Sequence, residues 1–243
     1  MRAGLFYDLG LRDYGEVRTL QIELVEARIQ GRIPDTLILV EHPPVFTIGK
    51  HGGHENILSN SNIPVYEVER GGNVTFHGPG QLVAYFIFKV SDVHDFSRNI
   101  LRAGADLIRS YGFDAYIKKG YPGIWVGDEK IASIGLAVRK WVTFHGIAIN
   151  VNVDLRYFDM IIPCGIKGVK MTSLKKLTGK DQDMETVKRI FVKNLEDYLG
   201  IKFPVEFIRH TSRGKESPPH GPGLGEGENS RITKSKEVNY VRN

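Results

Sequence analysis

The sequence predicts an α+β fold: a mixed, largely antiparallel sheet flanked by helices. Three observations carry this. Runs with helical period and strand-like runs both occur along the chain. Several strand-like runs are joined by very short turns, which favours hairpins and so antiparallel pairing. One run, residues 82–88, is apolar at every position and suits a strand buried on both faces.

The elements follow in order. Val17, Leu20, Leu24 and Ala27 recur every three to four residues, which predicts an amphipathic helix stopped near Gly31. Residues 36–41 read as a strand. Pro43 and Pro44 break it, and residues 45–48 resume. Residues 65–69 are strand-like and lead into a glycine-rich stretch. Residues 82–88 are rich in aromatic and β-branched side chains. Ile100, Ala103, Leu107, Ile108 and Tyr111 predict a second helix, with Ser97 as its N-cap and Gly112 as its stop, although Gly104 weakens it. Residues 124–126 turn through Gly127 and Asp128 into 130–138, then through Arg139 and Lys140 into 142–153. Val187, Ile190, Phe191 and Leu195 mark a last helix over 184–199.

The 243 residues are 41% hydrophobic and 25% charged, which suits one soluble domain with a sizeable core. The expected folded domain, a single catalytic one, spans 1–208. Residues 209–243 are expected to be a disordered, Pro/Gly-rich tail, because 217–230 hold a single aliphatic side chain, Leu224. That tail has seven Lys/Arg against four Asp/Glu, so it carries more than half of the net charge of +5. The body is close to neutral, and charge gives no case for nucleic acid. No apolar run approaches the roughly 20 residues that cross a bilayer. Asp8 stands where a signal peptide would be apolar, and one cysteine cannot form an intramolecular disulfide. No membrane partner and a cytoplasmic location are expected.

The most informative stretch is 70–81, Arg-Gly-Gly-Asn-Val-Thr-Phe-His-Gly-Pro-Gly-Gln. Four glycines let backbone approach a ligand closely, and Arg70 and His77 place charge and a titratable ring beside them. The stretch reads as a small-molecule cradle, or else as two hairpin turns. Cys164 is the only thiol, and it sits between Pro163 and Gly165. Taken alone it reads as a buried small side chain. Its flanks suit instead a nucleophile at a bend, with backbone N–H groups near for an oxyanion. A thiol of ordinary pKa is only about 3% thiolate at pH 7, so a nearby ammonium would help. Lys130 opens the otherwise small, apolar run Ile-Ala-Ser-Ile-Gly, and is either that ammonium or a solvated hairpin lysine. His77 and His145 each precede a glycine and suit either chemical or structural roles; His42 and His51 read first as loop structure. No metal-ligand spacing is present, nor a phosphate-binding Gly-Lys-Ser/Thr loop.

Together these segments resemble the lipoyl(octanoyl) transferases. The resemblance runs through Glu-His-Pro-Pro-Val-Phe-Thr-Ile-Gly at 41–49, the stretch 70–81, and Lys-Ile-Ala-Ser-Ile-Gly at 130–135. It continues through His-Gly-Ile-Ala-Ile-Asn at 145–150, Pro-Cys-Gly-Ile at 163–166 and Thr-Ser-Leu at 172–174. Asn73 stands where the family pattern has Gln. The resemblance implies a fold like that of lipoate–protein and biotin ligases. It implies octanoyl transfer from octanoyl-acyl carrier protein to a lysine of lipoyl domains, the first step of endogenous lipoate synthesis. Those acceptors belong to 2-oxoacid dehydrogenase complexes and the glycine cleavage H protein. Cys164 would be the acyl-thioester nucleophile and Lys130 its partner. Arg70, Gly71, Gly72, Asn73, Val74, Thr75, Phe76 and His77 would line the acyl and pantetheine site. So would Ser133, Ile134, Gly135, Gly146, Ile147 and Ala148, with His145 in support. The small side chains of Ser133, Gly135, Gly146 and Ala148 suit a narrow acyl tunnel. No ATP or metal is expected. A basic patch for an acidic carrier would draw on Lys167, Lys170, Arg139 and Lys140. The alternatives are an ATP-dependent lipoate or biotin ligase on the same fold and a non-catalytic acyl-binding module.

Overall fold

The computed structural model describes residues 2–59, 61–165 and 168–203, with Cys164 described by its backbone alone. The expected tail, 209–243, lies outside the described residues. The chain opens with β1 (Arg2–Ala3), β2 (Leu5–Leu11), α1 (Tyr14–Ile29), β3 (Thr36–Glu41) and β4 (Val45–Ile48). It continues through β5 (Val65–Glu67), β6 (Val74–His77), β7 (Gln81–Ile87), α2 (Val93–Arg109) and β8 (Ala115–Ile117). Then come β9 (Ile124–Val126), β10 (Glu129–Arg139), β11 (Val142–Asn150), β12 (Lys170–Met171), α3 (Leu174–Thr178), α4 (Met184–Leu199) and β13 (Ile201–Lys202).

The main sheet has the order β2-β3-β7-β11-β10-β9-β8, with β12 added beside β10. The pairs β2–β3 and β10–β12 are parallel and the others antiparallel, as the hairpin spacing predicts. A smaller sheet, β5-β4-β6, carries the glycine-rich loop between its strands, and β1 pairs with β13.

Strand β7 is buried along its whole length, in keeping with its apolar sequence. Its alternate residues serve two cores, because successive strand side chains point to opposite faces. Leu82, Ala84 and Phe86 pack toward α2 and α4, with Ile100, Leu107 and Phe191. Val83, Tyr85 and Ile87 pack toward α1, with Val17 and Val25. The sheet is therefore the middle of three layers. A third core, with Phe46, Phe76 and Phe158, fills the smaller sheet.

Three sequence expectations shift. The second helix begins at Val93, with the Asp92 carboxylate accepting from the N–H of His94 and Asp95 at 2.8 and 3.1 Å. Ser97 lies inside it and caps nothing, because Asp92 already satisfies the first-turn donors. The hairpin after β10 turns on Lys140 and Trp141, both at positive φ (48° and 66°), one residue later than expected. A two-residue turn of that hand fits the strand twist even without the Asn-Gly that usually signals it. Gly104 has a packing reason: a Cβ there would be 2.6 Å from Ile124 Cδ1, where α2 presses on β9. Among the described residues no helix is long and apolar enough to cross a membrane.

Candidate active site

The glycine-rich loop is fixed from both sides. The N–H groups of Gly49, Lys50 and His51 donate to the carbonyls of Asn73, Arg70 and Gly72 at 3.0–3.2 Å. On the other side, Gly71 N–H donates to Leu136 O of β10 at 3.1 Å. Gly135 admits this contact, since a Cβ there would be 2.9 Å from Gly71 O and 3.0 Å from Arg70 Cδ. Gly49 admits the loop from behind in the same way, its Cβ position lying 2.5 Å from Gly72 O. Arg70 turns inward. Its Nη2 donates to Thr47 O and Thr47 Oγ1, both at 2.8 Å, so its guanidinium ties the loop to β4.

Between this loop and the main sheet lies a narrow cavity of about 50 Å³. Ser133, Ile134 and Gly135 of β10 and His145, Gly146, Ile147 and Ala148 of β11 form one wall. Arg70, Gly72, Asn73, Val74, Thr75 and His77 form the other, and Tyr14, Val83 and Tyr85 close the inside. The burial gradient gives it direction. Gly72 is exposed and Asn73, Ser133, Ile134 and Gly135 are half-buried at the mouth, whereas Tyr14, Val83, Tyr85, His77 and His145 are buried. Most of the expected lining residues are thus brought together, and Tyr14, Val83 and Tyr85 join them. No motif or spacing marks these three, which come from α1 and β7 and meet the loop only in the fold.

Two expected lining residues stand elsewhere. Phe76 points into the third core and stacks on Tyr157, ring centroids 4.5 Å apart and planes 11° apart. The alternation along β6 puts it on the face opposite His77 and Thr75. Gly71 lies on the outer side of the loop and opens to a separate groove. Gly146 lines the cavity, but its lack of a side chain serves the sheet: a Cβ there would overlap the Ala84 carbonyl oxygen and sit 2.9 Å from Phe86 Cδ2.

A buried hydrogen-bond chain joins the loop to β10. Gln81 Nε2 donates to Phe76 O and to Asn150 Oδ1, at 3.1 and 3.0 Å. Its Oε1 therefore faces His77 Nδ1, 2.7 Å away, and an oxygen can only accept, so Nδ1 carries the proton. Asn150 Nδ2 donates to Thr172 O at 3.0 Å, and Thr172 N–H donates to Lys130 O at 2.9 Å. Burial, with His42 adding, pushes the His77 pKa down to about 3, so the ring is neutral and Nε2 is an acceptor. His42 is likewise structural: Nδ1 donates to Arg12 O, Nε2 accepts from Tyr85 Oη, and burial lowers its pKa to about 4. His145, at a φ of +58°, approaches Glu69 at 3.5 Å. That imidazole and Arg18 hold the Glu69 carboxyl down to about 2, while burial lowers His145 itself.

Lys130 is 2% exposed. Its Nζ stands 5.8 Å from the centroid of Trp125, its partner across β9–β10. Gly123 covers its stem, and a Cβ at Gly123 would overlap Lys130 Cε. The lysine side chain is sheathed, which excludes the solvated-hairpin reading. At Pro163–Gly165 the chain makes a single 3-10 turn, with Gly165 at a φ of +67° and its N–H donating to Ile162 O at 3.0 Å. Gly165 abuts the Asn73 side chain, its Cβ position lying 3.0 Å from Asn73 Cγ. The turn that carries Cys164 thus meets the mouth of the cavity through Asn73. Ile166 and Lys167 lie outside the described residues. Of the expected basic patch, Lys170 and Lys140 are exposed, and Arg139 is engaged with Glu26 at 2.8 Å. No group of three or more His, Cys, Asp or Glu suited to a metal occurs among the described residues.

Comparison with known proteins shows the family and the fold. Residues 13–196 match the model of the lipoyl protein ligase A/B catalytic domain. An octanoyltransferase of Thermoanaerobacter sp. (strain X514) is 46% identical over 213 residues, covering 84% of this chain and 93% of that protein. Among solved structures, lipoate-protein ligase A bound with ATP is similar with a TM-score of 0.65 and 17% identity, over 86% of this chain and 90% of that one. A biotin protein ligase from Aquifex aeolicus in complex with biotin and ATP gives 0.50 at 16% identity, over 81% and 70%. At those identities the structural likeness is one of fold. The chain belongs to the lipoyl protein ligase A/B catalytic domain family, among its lipoyl(octanoyl) transferases.

Proposed function

We propose that the protein is an acyltransferase that moves an octanoyl group from octanoyl-acyl carrier protein to a lysine of a lipoyl domain through a thioester on Cys164. The observation that carries this reading is the meeting, at Asn73, of a narrow cavity and the Pro-Cys-Gly turn. On this reading the acyl chain enters this cavity and its thioester carbon lies at the mouth.

The chemistry divides into two mirror-image steps. The Cys164 thiolate attacks the octanoyl carbonyl carbon, and the bond from that carbon to the pantetheine sulfur breaks. The Lys130 ammonium gives a proton to the departing thiolate. The acceptor amine then attacks the octanoyl-Cys164 carbonyl, the bond to the Cys164 sulfur breaks, and Lys130 takes back the proton lost by the amine. Burial of Lys130 supports this role, since a charge acts more strongly where water is excluded. The bond energy is already in the donor thioester, so neither ATP nor a metal is required. The acceptors on this reading are the lipoyl domains of 2-oxoacid dehydrogenase complexes and the glycine cleavage H protein, with the reaction in the cytoplasm.

The test is transfer from octanoyl-acyl carrier protein to a purified lipoyl domain without nucleotide. The reading expects a domain heavier by one octanoyl group. Transfer that begins only when ATP is added to free octanoate would make the protein a ligase instead.

A further inference from the structure

Trp125 is 3% exposed, yet among the described residues it joins none of the three apolar cores. Its neighbours along β9, Ile124 and Val126, turn to the core shared with α2 and α4. Strand alternation sends the Trp125 ring to the other face, where its cross-strand partner is Lys130. We propose that Trp125 is a positioning residue for the Lys130 ammonium, and that Lys118 and Tyr121 hold its ring in place. The inference rests on the transferase reading.

Three observations favour this role. The first is that the ring is pinned. Its Nε1–H donates to Tyr121 O at 3.2 Å, and the Tyr121 ring meets it edge-on, with centroids 6.1 Å apart and planes at 85°. The turn over 118–121 is closed by Tyr121 N–H donating to Lys118 O at 3.2 Å, and it places Lys118 Nζ 5.0 Å from the centroid of each ring. The second is proximity. Lys130 Nζ stands 5.8 Å from the Trp125 centroid, inside the distance over which an aromatic face attracts a cation. The third is chemical fit. A lysine stem is flexible, so an ammonium that must meet a departing thiolate needs an anchor. A carboxylate would anchor it but cancel its charge. A neutral ring attracts it and leaves the charge whole for the thiolate. Plain packing would set apolar side chains against the indole, whereas two of the groups over it are ammonium groups.

The experiment follows acyl-enzyme formation from two small donors. Octanoyl-N-acetylcysteamine releases an alkyl thiolate, which takes up a proton at neutral pH. S-Phenyl thiooctanoate releases an aromatic thiolate, a better leaving group that needs none. Lys130→Ala is the reference, since loss of the proton donor should slow the first donor far more than the second. The inference expects Trp125→Met to slow capture from octanoyl-N-acetylcysteamine by about 10–100-fold, as a misplaced ammonium would, and from S-phenyl thiooctanoate by about threefold or less. Trp125→Phe keeps a ring and should recover most of the first rate. A general loss of structure slows both donors alike, so an equal fall overturns the inference, as do wild-type rates in Trp125→Met. If Trp125→Met does not fold, Tyr121→Ala is read by the same criterion, because Tyr121 is exposed and its loss unpins the ring. Equal slowing of both donors in Lys130→Ala overturns the acid role on which the inference rests. Absence of acyl-enzyme with either donor in wild type is a separate result, and it overturns the transferase reading itself.

Discussion

Gly123 leaves the space that the Lys130 side chain occupies. Its φ is +144°, a conformation that side-chain-bearing residues rarely adopt, and a Cβ there would overlap both Lys130 Cε and the Ala132 carbonyl oxygen. Gly123→Ala should therefore strain the turn by about 1–3 kcal/mol. That corresponds to a fall in Tm of roughly 3–10 °C for a domain of this size. It should also displace the ammonium, and a misplacement near 1 Å costs about 10²-fold in rate. Melting curves alongside the rate of acyl-enzyme formation check both. A variant with wild-type rate would show that Lys130 needs no sheath.

Gln81 satisfies three buried partners at once: His77 Nδ1–H, Phe76 O and Asn150 Oδ1. Gln81→Leu keeps the volume and strands all three. Each stranded group costs about 1–3 kcal/mol, with some relief from relaxation. Urea denaturation should show a loss of roughly 2–5 kcal/mol. A loss under about 0.5 kcal/mol, the range of an ordinary surface change, would mean that the chain of bonds holds nothing in place.

Acid should weaken the fold earlier than carboxylates alone require. His42 and His77 have pKa values pushed down to about 4 and about 3, against about 6.5 for an unfolded chain. Between those limits the unfolded state binds more protons, so stability rises with pH. The contribution is full above about pH 6.5 and is lost as pH falls toward 4 and then 3. Stability measured from pH 7.5 to 4.5 should drop, and His42→Gln should flatten part of that slope. A flat wild-type profile over this range would contradict buried, neutral rings.

Gly146 and Ser133 both line the cavity but should fail differently. Gly146→Ala puts a Cβ onto the Ala84 carbonyl and should damage the β7–β11 pairing, seen as lost Tm or insolubility. Ser133→Leu fills the cavity from a half-buried position and should keep the fold while blocking octanoyl capture. Wild-type capture by soluble, folded Ser133→Leu would move the acyl chain out of this cavity.

How much of this was legible in the sequence depends on the distance over which each cause acts. Local causes showed well: the apolar run that became β7, the helix over 184–199, and the turn at Gly127 and Asp128. The site blocks showed as motifs, and most of their residues meet around one cavity. What did not show was the reason for each residue. Gly135 reads as room for an acyl chain, yet it admits the glycine-rich loop itself. Phe76 lies inside the motif but faces the other way, because a strand alternates and a motif does not reveal its phase. Tyr14 and Tyr85 close the cavity from places about 60 and about 10 residues away from the loop, and no period or spacing encodes that meeting. The helix start at Asp92 was missed because Ser97 also suits an N-cap, although Val93 and Phe96 continue the apolar repeat one turn further back.

The most direct test of the central claim is the intact mass of the full-length protein after brief exposure to octanoyl-acyl carrier protein, with neither ATP nor acceptor. The account predicts a gain of one octanoyl group, released by hydroxylamine and absent from Cys164→Ala. Lys130→Ala should form it more slowly, by roughly 10²–10⁴-fold. An octanoyl group that persists in Cys164→Ala, or transfer to a lipoyl domain by that variant at the wild-type rate, would contradict the thioester route.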